Sequence, residues 1–215
     1  MVHVLRQQGG VSIGALLTTV NTVANRVAMH AVRDDVLQAQ ADALELPLWR
    51  VPIPAPCPNE IYERAMASTV RRAVEAGFTH VAFGDLFLED VRRYRRERLD
   101  GTGLTPIFPL FGSDTSVLAR TMIQSGLRAR ITCLDPRVVD PGLAGREFDA
   151  SLLADLPASV DPCGERGEFH TCAYAGPMFA RPLALETGVT IERDGFVFTD
   201  LMLPRRRESV AADVR

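Results

Sequence analysis

Apolar and polar positions along the chain follow two alternating patterns. Short apolar runs typical of buried strands occupy residues 11–20, 48–54, 80–83, 105–110 and 128–134. Helices are predicted between these runs, mainly from apolar residues spaced three or four apart, at residues 33–46, 58–76, 88–99 and 115–125. Because strands and helices alternate, the pattern predicts an α/β fold with a parallel sheet and helices on both faces. Ligands of such sheets bind at the carboxyl ends of the strands.

The pattern changes after residue 135. Prolines and glycines are frequent up to residue 145, a short helix is predicted at 148–156, and antiparallel strands are predicted at 168–174, 182–187 and 190–199. The predicted organisation is therefore an α/β domain at residues 1–139, a small antiparallel C-terminal region at 140–203 on the substrate side, and a charged, frayed tail at 204–215.

Composition narrows the classes of function. The 215 residues carry a net charge of −3, and all of the basic residues are arginines. A chain without lysine has neither a Schiff-base lysine nor a lysine-bearing phosphate loop. The four cysteines form no Cys-x-x-Cys pair, and no apolar run reaches the length of a transmembrane helix. The start lacks a signal-peptide pattern, so we expect a cytoplasmic protein that uses no membrane.

An arginine-rich segment at residues 92–98 holds five arginines in seven residues. On a helix, some of these side chains can approach a phosphate, and the run is the one feature that favours a nucleic-acid-binding module. A solvated helix face is the other interpretation. Because the chain is acidic overall and the run is local, we expect no nucleic-acid partner.

Two polar positions follow predicted strands. Gly84 and Asp85 come directly after the strand at 80–83, where glycine lets a ligand approach the backbone and a carboxylate can bind a metal, a ribose or an amine. A turn in which Asp85 caps the next helix is the alternative. His30 lies between the first strand and its helix, at the same edge, and is either structural or part of a site.

The densest polar cluster spans residues 163–171, Cys-Gly-Glu-Arg-Gly-Glu-Phe-His-Thr. If a strand starts at Glu168, then Glu168, His170 and Cys172 point to one face. Two carboxylates and an imidazole can bind a cation, orient an amine or move a proton. The alternative is a solvent-facing strand with ordinary alternation.

Taken in order, several segments resemble the diphthine–ammonia ligase family of PP-loop ATP pyrophosphatases, which has the adenine nucleotide alpha hydrolase fold. The resemblance runs from about Val4 to Leu201 and is carried by six segments: residues 16–21, 29–30, 83–86, 109–114, 145–149 and, most specifically, 163–171.

The resemblance implies an ATP-dependent ligase that adenylates a carboxylate and lets ammonia displace AMP to form an amide, with Mg²⁺ on the phosphates. It implies nucleotide binding by Gly84 and Asp85. It also implies a carboxylate-bearing acceptor, with catalysis by Glu168 and His170. The implied acceptor-binding residues are His30, Glu165 and Thr171.

The chain departs from the family at its start. Members open with a strand and a Ser-Gly-Gly-Lys-Asp-Ser phosphate loop, whereas this chain begins at what resembles the end of the following helix. We therefore expect upstream codons that encode the strand and loop, or a degenerate remnant. In either case the strands beside the absent one should border an apolar gap, and the chain as given should be impaired as a ligase. A non-catalytic ligand-binding protein is the alternative function.

Overall fold

A computed structural model describes residues 1–204, so the predicted tail lies outside the described residues from Arg205 onward. The helices are α1 (Val2–Gln8), α2 (Asp34–Leu44), α3 (Asn59–Glu75), α4 (Glu89–Leu99), α5 (Thr115–Gln124) and α6 (Ala150–Asp155). The strands are β1 (Leu16–Asn21), β2 (Arg26–Val27), β3 (Leu48–Ile53), β4 (His80–Ala82), β5 (Thr105–Ile107), β6 (Arg128–Leu134), β7 (Phe169–Ala175), β8 (Glu186–Arg193) and β9 (Phe196–Met202). The predicted α/β class is confirmed.

Two pairs of parallel strands form the N-terminal part of the fold. β1 and β3 pair along their whole length, and the short β2 joins the carboxyl end of β1 in antiparallel orientation. β4 and β5 form a separate parallel pair. Because parallel strands end at the same edge, the loop after β4 and the loop after β5 lie together. A hydrogen bond from the Gly112 amide to the Leu86 carbonyl, 2.8 Å, joins these two loops.

An apolar gap separates the two parallel pairs. Among residues 1–204, no strand pairs with β4 on the side away from β5. A cavity of about 480 Å³ lies there, and its walls include residues 16–19 of β1, residues 80–82 of β4 and the inner face of α3. None of the seventeen residues of α3 is buried, although its apolar positions share one side. This cavity between β1 and β4 agrees with the apolar gap expected from the sequence.

The C-terminal sheet is antiparallel and has the order β7-β6-β9-β8. The expectation that residues 128–134 continue the parallel sheet is wrong, because β6 pairs antiparallel with β7 on one side and with β9 on the other. An apolar run shows that a strand is buried, but it does not show which strand lies beside it or in which direction.

The core of this region packs against both faces of its sheet. The largest cluster of buried side chains joins β6 and β7 to α5 and α6, and it includes Ile131, Leu152 and Phe169. On the other face, Val36 of α2 packs with Cys172 of β7 and Leu201 of β9. Helix α2 therefore attaches the C-terminal sheet to the N-terminal part of the chain.

The last two strands form a hairpin that the sequence pattern misplaces. The predicted strands at 182–187 and 190–199 are wrong in their bounds, because β8 runs to Arg193 and pairs there with Phe196. The two residues between, Asp194 and Gly195, have φ of 53° and 78°. Positive φ at both positions is the geometry of a tight type I′ turn, for which Asp-Gly is a favoured sequence.

Candidate functional site

The loop after β4 carries the predicted nucleotide-binding pair. Gly84 is exposed, and no atom outside residues 83–85 lies within 4 Å of the position that a Cβ would take, so the space beside it is open. The Asp85 side chain is only 11% exposed and forms an ion pair with Arg95 of α4, with N–O distances of 2.8 and 3.1 Å. The Arg95 guanidinium also lies 4.3 Å from the centre of the Phe83 ring. Asp85 therefore holds this loop against α4.

Glu165 is the predicted site residue that reaches this loop from the C-terminal region. Its Oε1 accepts a hydrogen bond of 2.7 Å from the Leu86 amide. Burial raises the pKa of Glu165, and the hydrogen bonds from the backbone of Leu86 and Phe87 oppose this rise only in part. The contact ties the segment at 163–171 to the carboxyl edge of β4.

Glu168 has a different set of partners. β7 starts one residue later than predicted, so Glu168 lies in the turn before the strand, where it is 7% exposed. Its Oε1 accepts from the Asp161 amide at 3.0 Å and its Oε2 from the Arg166 amide at 2.9 Å. Both carboxylate oxygens are therefore engaged in shaping this turn. Its predicted catalytic role stays a prediction.

His170 and His30 form a second contact between the two parts of the chain. Their ring centres are 4.4 Å apart, with an angle of 43° between the ring planes. His30 lies in the loop between β2 and α2, and both of its neighbours, Met29 and Ala31, have left-handed φ values of 64° and 54°. For non-glycine residues this conformation is strained, and strain of this kind concentrates at functional sites.

The surroundings of these two rings keep them uncharged at neutral pH. Burial, followed by the nearby His30, lowers the pKa of His170 to about 4. Burial also lowers the pKa of His30, and a hydrogen bond with the backbone of Thr171 opposes this only in part. The contact with Thr171 is thus made by its backbone. Two neutral imidazoles can each accept one hydrogen bond and donate one.

The predicted residues thus fall into two groups joined by one segment. Glu165 meets the loop of Gly84 and Asp85, whereas His170 and Thr171 meet His30. The segment from Glu165 to Thr171 contacts both the loop after β4 and the loop before α2. A ligand at the carboxyl edge of the parallel strands would be covered by this segment.

Two residues of the site were missed by the sequence analysis. Arg95 was included only as one member of an arginine-rich helix, and its partner on the loop of Asp85 was not predicted. Asp161 is 6% exposed and accepts hydrogen bonds from Thr115 and from two amides of the segment after it. An Asp-Pro pair directly before the polar cluster was the available signal, since aspartate commonly bonds the backbone two residues on.

The residues present do not fit Mg²⁺–ATP. The chain has no lysine for the phosphates, and the Asp85 carboxylate is already paired with Arg95. The Leu86 amide, which points from the loop, is held by Glu165. In the described part of the chain, no three His, Cys, Asp or Glu side chains are grouped to hold a metal ion.

Fold and site together define an α/β protein in which an antiparallel C-terminal region covers the carboxyl edge of parallel strands. Residues 114–201 match the model of the diphthamide synthase C-terminal domain family. The match covers this part of the chain and confirms its resemblance to diphthine–ammonia ligases. It runs from α5 to β9 and contains Glu165, Glu168, His170 and Thr171.

No curated protein matches the chain. No helix among residues 1–204 combines the length and the apolar character needed to cross a bilayer.

Proposed function

We propose that this chain derives from an ATP-dependent, amide-forming ligase of the diphthine–ammonia type and carries the acceptor side of its site. The observation that carries the proposal is the segment from Glu165 to Thr171. It lies inside the family match and contacts two loops at the edge where α/β proteins bind ligands. The acceptor would be a carboxylate-bearing substrate, and ammonia would be the second substrate.

The site residues have distinct roles in this proposal. The neutral rings of His30 and His170 accept and donate hydrogen bonds to the acceptor and to ammonia, which orients them without adding charge. Burial lowers the pKa of His170 to about 4, so its ring is unprotonated at neutral pH and can accept a hydrogen bond from ammonia or from the acceptor. Glu165 fixes the segment on the loop after β4, and Glu168 shapes the turn between them.

We also propose that the chain as given is impaired as a ligase. A carboxylate forms an amide in water only after it has been given a good leaving group, and the described residues do not fit the Mg²⁺–ATP that would supply one. By the resemblance, the family's first strand, which leads into its phosphate loop, would fill the apolar gap between β1 and β4. A non-catalytic acceptor-binding protein, or a remnant that binds neither substrate, is the second candidate.

Nucleic-acid binding has less support. Among the arginines of α4, Arg95 pairs with Asp85, Arg98 pairs with Glu63, and Arg92 stacks 4.2 Å from the centre of the Phe111 ring. These side chains therefore stabilise the fold, and fewer charges remain for phosphates.

The experiment compares three ligands with one protein by calorimetry: Mg²⁺–ATP, a diphthine-bearing elongation factor and a single-stranded RNA. We expect binding of the elongation factor, weaker binding by His170→Asn, and no micromolar affinity for ATP. The matched control is His80→Asn, which replaces an exposed histidine on β4 and should bind the factor unchanged.

Each other outcome changes the conclusion. ATP binding with amide formation at the rate of a full-length ligase would refute the impairment. Binding of RNA in place of the factor would favour the nucleic-acid-binding module. A chain that binds none of the three ligands would be a remnant, and the acceptor-site proposal would be withdrawn.

A further inference from the structure

The Asp161 carboxylate connects helix α5 to the turn that carries Glu165. Its Oδ2 accepts a hydrogen bond of 2.6 Å from the Thr115 hydroxyl, at the start of α5. Its Oδ1 accepts from the Cys163 amide at 2.9 Å and from the Glu165 amide at 3.3 Å. The turn that carries Glu165 is thus attached, through one side chain, to a helix that packs in the largest core cluster.

Because Asp161 is buried, its carboxylate depends on these hydrogen bonds. A carboxylate that is 6% exposed has lost most of its hydration, and three donors replace the lost water. The Asp161 amide is itself held by Glu168. Removing the carboxylate would leave two amides of the turn without their partner and would free the turn from α5.

The position of Glu165 depends on this attachment. Its backbone amide is bound by Asp161, while its carboxylate is bound to the Leu86 amide at 2.7 Å. Because both the backbone amide and the carboxylate of Glu165 are bound, this residue sets the distance between the turn and the loop after β4. Glu168 supports the turn as well, but it makes its bonds to Asp161 and Arg166 and none to Glu165.

We propose that Asp161 is a positioning residue of the site, which holds the Glu165 carboxylate on the backbone of the loop after β4. The inference rests on the proposed function for the site that Glu165 serves, but its geometry is a property of the folded chain alone. Asp161 acts through Glu165 and is therefore distinct from the residues proposed to touch the acceptor.

The test follows the Leu86 amide by ¹H–¹⁵N nuclear magnetic resonance over an acidic pH series. An amide that donates to a carboxylate changes its chemical shift when that carboxyl titrates, so Leu86 reports whether Glu165 is in place. Glu165→Gln should abolish the titration, which establishes the assignment. Asp161→Ala should also abolish it or greatly reduce its amplitude.

Conservative and matched variants separate positioning from general destabilisation. In Asp161→Asn, the side-chain oxygen can still accept from the two amides and its NH₂ group can donate to Thr115, so the amplitude should be kept. Its midpoint should fall, because the Asp161 charge raises the pKa of Glu165. Asp149→Ala is the matched control, because the Asp149 carboxylate also accepts a hydrogen bond from a nearby backbone amide, that of Leu152 in α6. It should leave the Leu86 titration unchanged.

An unchanged Leu86 amplitude in Asp161→Ala would overturn the proposal, as would equal loss in Asp149→Ala. If Asp161→Ala does not fold, Thr115→Val decides the matter, since it removes only the hydroxyl that ties Asp161 to α5. A reduced amplitude supports the proposal and an unchanged one refutes it. The Leu86 readout needs no substrate, so this test of Asp161 stays valid even if the chain is not related to a ligase. If the test fails, acceptor binding can still be measured separately.

Discussion

The burial of His170, and second its position beside His30, makes the stability of this protein sensitive to acid. The pKa of His170 is about 4 in the folded chain, whereas the ordinary value is 6.5. Between these two values the unfolded chain binds the extra proton and the folded chain does not. Stability is therefore fully present above pH 6.5 and is lost as the pH falls toward 4.

The magnitude follows from the size of this change in pKa. At about 1.4 kcal/mol per pKa unit, the full effect of His170 is about 3 kcal/mol, and about 2 kcal/mol of it is lost by pH 5. His30 adds to the loss in the same direction, because its pKa is lowered as well. His170→Asn should remove this contribution, so that the variant loses less stability on acidification than the unmodified chain.

Urea unfolding at pH 7.5 and pH 5, followed by circular dichroism, measures the difference. The unmodified chain should lose about 2 kcal/mol more than His170→Asn between the two pH values. Any constant cost of losing the imidazole contacts cancels in this comparison. His80→Asn is the matched control and should behave like the unmodified chain. Equal acid sensitivity in the unmodified chain and in His170→Asn would show that His170 is not buried as described.

Two further predictions concern the loops of the site. Arg95→Met should lower the free energy of unfolding by about 1–3 kcal/mol, because it leaves the largely buried Asp85 carboxylate without its cation. Adding Asp85→Asn to that variant should recover part of the loss. Urea unfolding of the unmodified chain, the single variant and the double variant measures the recovery. Gly164→Ala should cost more than about 2 kcal/mol, since φ is 68° and the added Cβ would lie 2.5 Å from the Phe169 carbonyl oxygen. Gly167 has φ of 85° but open space beside it, so Gly167→Ala should lower the thermal midpoint less than Gly164→Ala does. Equal decreases in the two variants would contradict the steric argument.

Local periodicity was enough to place most of the helices. The predicted helices at 33–46, 58–76, 88–99 and 115–125 lie within two residues of α2, α3, α4 and α5. Their signals are contained in one turn or a few turns of chain: apolar spacing, a stop at Gly77, and a cap at Asp114 whose carboxylate accepts from the Val117 amide at 2.9 Å. Such signals need no knowledge of distant residues.

Strand partners could not be obtained in this way. β6 has the bounds that its apolar run predicts, yet it belongs to the antiparallel sheet because β7 and β9 are its neighbours. The lack of hydrogen bonds between β1 and β4 also depends on which strands pair, and local periodicity does not show it. Side-chain alternation indicates that a strand has a buried face, but hydrogen bonding between strands depends on which segments meet in space.

For the site, the amino-acid sequence by itself predicted the polar cluster at 163–171, the Gly84–Asp85 turn and His30 as candidate site residues. Only the tertiary structure decided which of them meet. Glu165, and not Glu168, reaches the loop after β4, and His170 packs on His30. The choice between two carboxylates three residues apart depends on hydrogen bonds with Asp161, Arg166 and Leu86. Asp161 and Arg166 lie in the same turn, but Leu86 lies 79 residues before Glu165, and that contact exists only once the sheets have packed.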